Sequence, residues 1–493
     1  MHETMPNFLK KRAFLTPDRT AVYFNEETIS FKELYDQSSQ TAGKLQALGV
    51  QKDQFIGVLL RNHLDTIVIL FALQLVGIKA VILNNRLAAK ELVWQLNDSG
   101  AVTLILEEDF YEIKGEISIP SITKEELFAV QADFTEIQEE INLSDICTIM
   151  YTSGTTGNPK GVLQTYGNHW WSAVGSALNL GYTESDRWLC SVPLFHISGY
   201  SILMRSVIYG MPIILHPTFD ANQAIEDIKT KQVTIMSVVG TMLSRIVENL
   251  KNAQLPDYFR GMLLGGGPAP LPLLQACMEK GIPVFQTYGM TETASQIVTL
   301  APEYSISKLG SAGKPLFQAE YKILLEDGQT AAPREAGEIV VKGPNVTPGY
   351  LNRPEATKEK FNEGWFQTGD IGYSDEEGFL FVLDRRSDLI ISGGENVYPA
   401  EIESVLLSHP DVFDVGVTGL QDETWGQVPV AFIVRKDGAR VTGNQLQQYC
   451  LDHLAKYKVP RTFHFTESLP RNASKKLLRR KLTELVSEDG VSE

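Results

Sequence analysis

The chain has 493 residues, too many for one comfortable core, and its 43% hydrophobic and 21% charged residues are those of a globular enzyme with two or more domains. A net charge of −16, from 44 Lys plus Arg against 60 Asp plus Glu, argues against a nucleic-acid partner, which would want a basic stripe, but leaves room for one small anion at a local positive site.

At the N-terminus, MHETMPNFLKKRA lacks the apolar segment of a signal peptide, and the apolar run at 66–83 is interrupted by Gln74, Gly77 and Lys79, so a cytoplasmic protein without a membrane span is expected. Between 21 and 106, helical patterns at 31–48, 64–75 and 88–99 alternate with short β-branched runs at 55–59, 80–83 and 102–106. That alternation predicts a parallel sheet covered by helices. Residues 108–143 are Glu-rich and poorly periodic and read as a solvated connection. Cys147, Cys190, Cys277 and Cys450 are dispersed with no CxxC, which favours buried free thiols over disulfides or a zinc site.

An apolar strand at 146–150 leads into YTSGTTGNPKG. Thr152, Ser153, Thr155 and Thr156 supply hydroxyl donors, Gly154 and Gly157 let backbone amides turn toward a ligand, and Lys160 adds an ammonium. Such a loop suits phosphate. Its spacing is not that of a Walker A loop, which needs Gly before the Lys and Ser or Thr after it.

Further strands are expected at 188–192, 212–215 and 233–238. The first runs into PLFHISG, where His196 lines a pocket or sits as a satisfied core histidine. Gly265, Gly266 and Gly267, followed by Pro268, end another apolar strand, and consecutive glycines suit a flat ring lying against the backbone. The strand at 282–286 delivers a loop with Tyr288 to stack a base, Thr291 for a phosphate oxygen and Glu292 for a hard cation such as Mg²⁺. A turn with an N-cap is the alternative.

Beyond 308 the pattern turns to short β segments of a small barrel-like subdomain. In GWFQTGD, Asp370 is a turn former or a carboxylate for a ribose diol. The charged knot at 384–388 separates this core from a C-terminal unit of about 100 residues, large enough to fold alone. Its tail, RNASKKLLRRK, is a solvated basic end, a weak nucleic-acid patch, or the carrier of one Lys that swings over a nucleotide.

Taken together, YTSGTTGNPKG, PLFHISG, GGGPAP, QTYGMTE, GWFQTGD, DRRSDLIISGGENVYPAEIE and PRNASKKLLRR occur in an order and spacing that resembles the adenylate-forming superfamily of acyl-CoA synthetases, luciferases and peptide-synthetase adenylation domains. The resemblance covers essentially the whole chain. It implies an α/β fold, with wound sheets and a β-barrel-like subdomain in a core at 1–384, a hinge at 385–388 around Ser387, and a mobile α+β domain at 389–493. By the same resemblance, Thr152, Ser153, Gly154, Thr155, Thr156 and Lys160 would hold the β- and γ-phosphates of ATP. Gly265, Gly266, Gly267 and Pro268 would flank adenine, with Tyr288 stacked on it. Thr291 would contact the α-phosphate, Glu292 would hold Mg²⁺, and Asp370 and Arg385 would bind the ribose. His196 would contact the acid substrate, Lys476 would be the catalytic lysine, and Gly393 and Gly394 would admit the pantetheine arm of coenzyme A. Two positions depart from the family pattern: Lys475 stands where a Gly usually precedes the lysine, and Ser387 where the hinge is often Asp or Lys.

The implied chemistry is attack of a carboxylate on the α-phosphorus of ATP, release of pyrophosphate, and capture of the acyl-adenylate by the coenzyme A thiol. Loading of a carrier protein and a non-catalytic nucleotide-binding role are the competing readings. The walls at 195–199, 239–241, 265–267 and 295–297 mix apolar bulk with glycine and hydroxyls, which suits a ring of modest size bearing polar substituents, such as an aromatic dicarboxylate, better than a long alkyl chain. A homodimer is a family-level expectation.

Overall fold

The alternating helical and β-branched runs of the first 300 residues build two sheets that share one apolar core. The computed structural model describes residues 3–132, 136–152, 159–267, 269–385, 388–392, 395–422, 425–454, 456–471 and 477–488. The strands that reach the site are β1 (Ile146–Thr152), β2 (Lys160–Thr165), β3 (Gly261–Gly265), β4 (Val284–Met290), β5 (Ser295–Leu300), β6 (Trp365–Ser374) and β7 (Leu380–Arg385). Two helices flank them, α1 (Tyr166–Leu180) and α2 (Ile197–Tyr209).

The six-stranded sheet runs β2, β1, Lys79–Ile82, Phe55–Leu59, Thr103–Leu106, Ser121–Thr123, parallel throughout except for the β2–β1 edge. The nine-stranded sheet runs Lys314–Pro315, β5, β4, β3, Ile235–Val239, Trp188–Cys190, Ile213–Leu215, Thr20–Phe24, Glu27–Ser30. Its centre is parallel and both ends are antiparallel. Central strands such as Trp188–Cys190 and Ile213–Leu215 are buried at every residue because helices cover both faces, hence their unbroken apolar sequence. The helix Leu64–Leu75 is apolar all round for the same reason: nearly every residue is buried in the core that joins the two sheets. At its amphipathic neighbour Phe31–Ala47, Ser30 and Glu33 close a capping box.

The β-rich segment beyond 308 forms a five-stranded antiparallel sheet, Glu320–Leu324, Gly337–Lys342, β6 and Phe361–Asn362, with β7 on β6. A last sheet, carried by Val412–Asp422 and Gly426–Arg435, packs on the helix Pro399–Leu407 around a separate core that includes Ile390, Ile402, Leu406, Val415, Ile433 and Leu446. Described parts of the basic tail are neutralised locally: Arg471 pairs with Asp414, and Arg479 with Asp388 and Glu403. That disfavours a nucleic-acid patch there.

Three expectations need correction. Residues 108–143 are not merely a connection: Ser121–Thr123 joins the first sheet, Glu140–Asn142 pairs with Thr4–Pro6, and Leu127 and Ile141 are fully buried. The stretch after 286 is no loop, because β4 continues to Met290 against β5. Asp370 likewise lies on a strand, β6. In both cases an antiparallel partner satisfies the backbone where glycines in the sequence suggested a break. The four cysteines are buried and free, as expected, and burial pushes their thiols up to about 12, out of the reactive range.

Two outcomes follow. Ile402 is fully buried in the separate C-terminal core, and with the proposed boundary at 385–388, Ile402→Ala is expected to cost that unit about 2–5 kcal/mol. Calorimetry should show one transition lowered, whereas a joint fall of all transitions would mean the two parts unfold together. His169, inside α1, is held by burial at a pKa of about 3 against 6.5 in the open chain. The unfolded state therefore takes the proton first: stability is undiminished above pH 6.5 and falls between there and pH 3. His169→Gln should flatten this acid limb by up to about 1.4 kcal/mol per pH unit, read from urea midpoints between pH 7 and pH 4.

Candidate active site

Thr152 and Lys160 are direct partners across the antiparallel β1–β2 pair at the sheet edge. Ser153, Gly154, Thr155 and Thr156 lie outside the described residues. The Lys160 ammonium stands 5.3 Å from the ring centre of Tyr350. The Tyr350 hydroxyl in turn donates to Glu292 Oε1 at 3.0 Å. One buried tyrosine thus links the Lys160 ammonium to the Glu292 carboxylate. It is held there by its own backbone, since Leu163 N–H donates to Gly349 O at 3.0 Å and Leu351 N–H to Gly161 O at 2.8 Å. Tyr350 has no signal in the sequence beyond the turn at Pro348 and Gly349.

A second junction joins Tyr288 and Asp370, whose hydroxyl and carboxylate lie 2.7 Å apart. Asp370 is almost fully buried and sits opposite Arg385 in the β6–β7 register. The Arg385 side chain is outside the described residues. The two aromatic and acidic positions expected to meet the nucleoside are therefore brought together from different sheets.

Beside them, β3 ends at Gly265. Gly266 and Gly267 have φ of +87° and +150°, a region costly for any side chain. Among the described residues, a Cβ on Gly267 would meet nothing within 4 Å, and on Gly265 or Gly266 only an atom at 3.8–3.9 Å. The glycines leave open a slot that none of the described residues fills. Pro268 lies outside the described residues.

His196 is the N-cap of α2, half-buried, with its ring edge on Phe195 at 4.6 Å. The loop before it is tied down: Asn62 donates to Val192 O at 3.0 Å and His216 O at 3.1 Å and accepts from Leu194 N–H at 2.8 Å. Further along α2, Arg205 is 1% exposed. Its Nη2 donates to Ser295 Oγ at 3.3 Å, its guanidinium stands 5.1 Å from the Trp188 ring, and its Nε has no partner. Burial lowers its pKa, and no described carboxylate pairs with it. Only its presence in the otherwise apolar SILMRSVIY run marks it in the sequence.

Thr291 and Glu292 follow β4 at a tight return into β5. Gly289 is required there, since a Cβ would fall 2.0 Å from Ser295 O. Among the described residues no cluster of three His, Cys, Asp or Glu side chains forms a metal cage. A lone carboxylate fits Mg²⁺ that arrives already bound to phosphates, because that ion needs only one or two protein carboxylates. Ser387, Gly393, Gly394, Lys475 and Lys476 lie outside the described residues.

The arrangement combines a cationic hairpin, a held carboxylate, a flat slot and a buried guanidinium. Comparison with known proteins shows the family. The AMP-binding enzyme family matches residues 9–351, and the AMP-binding enzyme C-terminal domain matches 401–476. The chain is 60% identical to a 2-succinylbenzoate–CoA ligase of Geobacillus kaustophilus (strain HTA426), over 98% of each chain. It is similar to the O-succinylbenzoate coenzyme A synthetase (MenE) of Bacillus subtilis in complex with the acyl-adenylate OSB-AMP, with TM-score 0.94 and 51% identity over 100% of this chain and 99% of that one. The same synthetase with ATP and magnesium gives 0.93 at 52% identity over 98% and 100%. A double mutant of it bound to the product analogue OSB-NCoA gives 0.77 at 51% over 98% of each. Among the described residues no helix is long and apolar enough to cross a membrane. The chain belongs to the AMP-binding enzyme family.

Proposed function

We propose that the chain is a 2-succinylbenzoate–CoA ligase, which converts 2-succinylbenzoate, ATP and coenzyme A to the thioester, AMP and pyrophosphate, a step of menaquinone synthesis. The observation that carries the substrate is Arg205, a buried guanidinium with no carboxylate partner among the described residues, beside Ser295, one of the residues expected to wall the acyl pocket. An unpaired charge at such depth is costly unless a ligand meets it. The ring carboxylate meets it here, while the succinyl carboxylate lies toward His196. A long alkyl chain would leave the guanidinium without a counter-charge.

In the first half-reaction the succinyl carboxylate attacks the α-phosphorus and pyrophosphate leaves. The nucleoside enters the slot at Gly266 and Gly267, stacks on Tyr288, and places its ribose hydroxyls on Asp370 with Arg385. The Tyr288–Asp370 bond fixes ring and carboxylate relative to one another before ATP binds, so little ordering remains. Lys160 and the hairpin donors Thr152, Ser153, Gly154, Thr155 and Thr156 hold the terminal phosphates, and Thr291 reaches the α-phosphate. Mg²⁺, when bound, neutralises phosphate charge, and Glu292, oriented by Tyr350, is the residue to hold it. Lys476 supplies a positive charge as the α-phosphate accumulates negative charge.

In the second half-reaction the thiol attacks the acyl carbon and AMP leaves. The adenylate must be shielded from water meanwhile, which gives a reason for the C-terminal domain to rotate about Ser387 and bring Gly393 and Gly394 to the pantetheine arm. The lower TM-score against the product-analogue complex, at unchanged identity, supports two arrangements of one sequence. ATP and coenzyme A are cytoplasmic metabolites, and we place the reaction there.

Three measurements test this reading. Pyrophosphate release across 2-succinylbenzoate, its analogue without the ring carboxylate, benzoates and fatty acids should be strongest with 2-succinylbenzoate, with the thioester confirmed by mass; preference for a fatty acid would overturn the substrate. Arg205→Met should lower kcat/KM for 2-succinylbenzoate more than tenfold, about 1.4 kcal/mol or more, yet spare the analogue without the ring carboxylate. Lys476→Ala should slow adenylate formation by orders of magnitude and leave thioester formation from preformed adenylate much less affected; equal losses, or a larger loss in Lys475→Ala, would remove Lys476 from this role.

A further inference from the structure

The return that carries Thr291 and Glu292 is backbone-strained: Ala294 and Ser295 have φ of 51° and 105° without being glycines. Four successive carbonyls of this return are held from three parts of the fold: β2, the segment 345–347 and α1. Thr291 O accepts from Gln164 Nε2 of β2 at 2.9 Å, and Glu292 O from the Thr347 amide at 2.7 Å. Thr293 O accepts from Asn345 Nδ2 at 2.9 Å, and Ala294 O from Ser172 Oγ of α1 at 2.6 Å. The three side-chain donors are no more than 2% exposed.

Gln164 is itself aimed from behind. Its Oε1 lies 2.9 Å from Thr148 Oγ1, and Thr148 Oγ1 lies 3.2 Å from His169 Nε2. Gln164 Nε2 must donate to Thr291 O, so Oε1 is the acceptor and the Thr148 hydroxyl donates to it. Thr148 then accepts from His169, which burial keeps neutral, with its proton on Nε2 and with Nδ1 unpartnered. The chain runs one way: His169 N–H to Thr148, Thr148 O–H to Gln164, Gln164 N–H to the Thr291 carbonyl. Apolar side chains would fill this space without the desolvation cost of a buried polar row, so its directionality, not its stability, is what distinguishes it.

We propose that Gln164, backed by Thr148 and His169, is a positioning residue for adenylate formation, acting through the Thr291 backbone to set where the Thr291 hydroxyl and Glu292 carboxylate meet the nucleotide. The inference rests on the roles given above to Thr291 and Glu292. It assigns the aim of those groups to a side chain that touches no substrate.

The test compares Gln164→Met, Thr148→Val and Thr148→Ser with the unaltered enzyme. It reads single-turnover adenylate formation, thioester formation from preformed adenylate, the ATP dissociation constant by calorimetry, and the melting midpoint. Gln164→Met should slow adenylate formation tenfold or more and Thr148→Val threefold or more, whereas Thr148→Ser, which restores the hydroxyl, should lie within twofold of the unaltered enzyme. ATP affinity and the second half-reaction should change less than threefold throughout. Adenylate formation within twofold in folded Gln164→Met overturns the proposal, as does equal loss in both half-reactions that tracks the midpoint. If Gln164→Met does not fold, the Thr148 pair decides: equal rates in Val and Ser overturn it. Thr291→Ala run in parallel separates the layers, since an undiminished rate there would remove the role of Thr291 itself, while a slow Thr291→Ala beside a fast Gln164→Met removes only the role of Gln164.

Discussion

Bringing a carboxylate up to a triphosphate sets like charges against each other, inside a chain whose own net charge is −16. Every part of the site answers that constraint. Positive charge is local and buried or half-buried, as Lys160 and Arg205, and the remaining stabilisation comes from dipoles: hydroxyls, backbone amides and oriented hydrogen-bond chains. Charges placed this way act in a low dielectric without making the whole surface basic.

The sheets supply rigidity for such placement. The parallel centres are closed by antiparallel edges, β2 on β1 and β5 on β4. The return between β4 and β5 is held from its far side. Tyr350 bonds the Glu292 carboxylate and Asn345 the Thr293 carbonyl, while Tyr350 also faces the Lys160 ammonium, so one short segment joins the β2 edge to the Thr291 return. The same logic applies at His196, whose loop is tied by Asn62 to two neighbouring strands. Hydrogen-bonded polar side chains stand in these places where apolar packing would hold an element without aiming its backbone.

The C-terminal part shows the opposite economy. It has its own core and meets its own basic residues with its own acids, as Arg471 does with Asp414 and Arg479 with Glu403. A unit that needs no neighbour for its core can change its orientation without unfolding, and two successive reactions in one cleft call for such a change.

Contiguous chemistry was legible from the residues alone. Hydroxyls, glycines and Lys160 in one loop, the Gly265–Gly267 run, and Tyr288, Thr291 and Glu292 within five positions all announce a nucleotide site, because local donors and backbone freedom are properties of neighbours in sequence. The helices 64–75 and 31–48 and the strand 55–59 were legible too, since burial imposes a period on the chain. What only the tertiary structure decided is pairing across distance. Tyr350 between Lys160 and Glu292, Arg205 beside Ser295, Gln164 beneath Thr291 and Asn62 behind His196 are ordinary residues until the fold brings their partners within hydrogen-bond reach. The extension of β4 to Met290 and of β6 through Asp370 belongs with them: glycine weakens a strand by its own propensity, but a partner strand that satisfies the backbone outweighs that local preference, and no single stretch of sequence contains its partner.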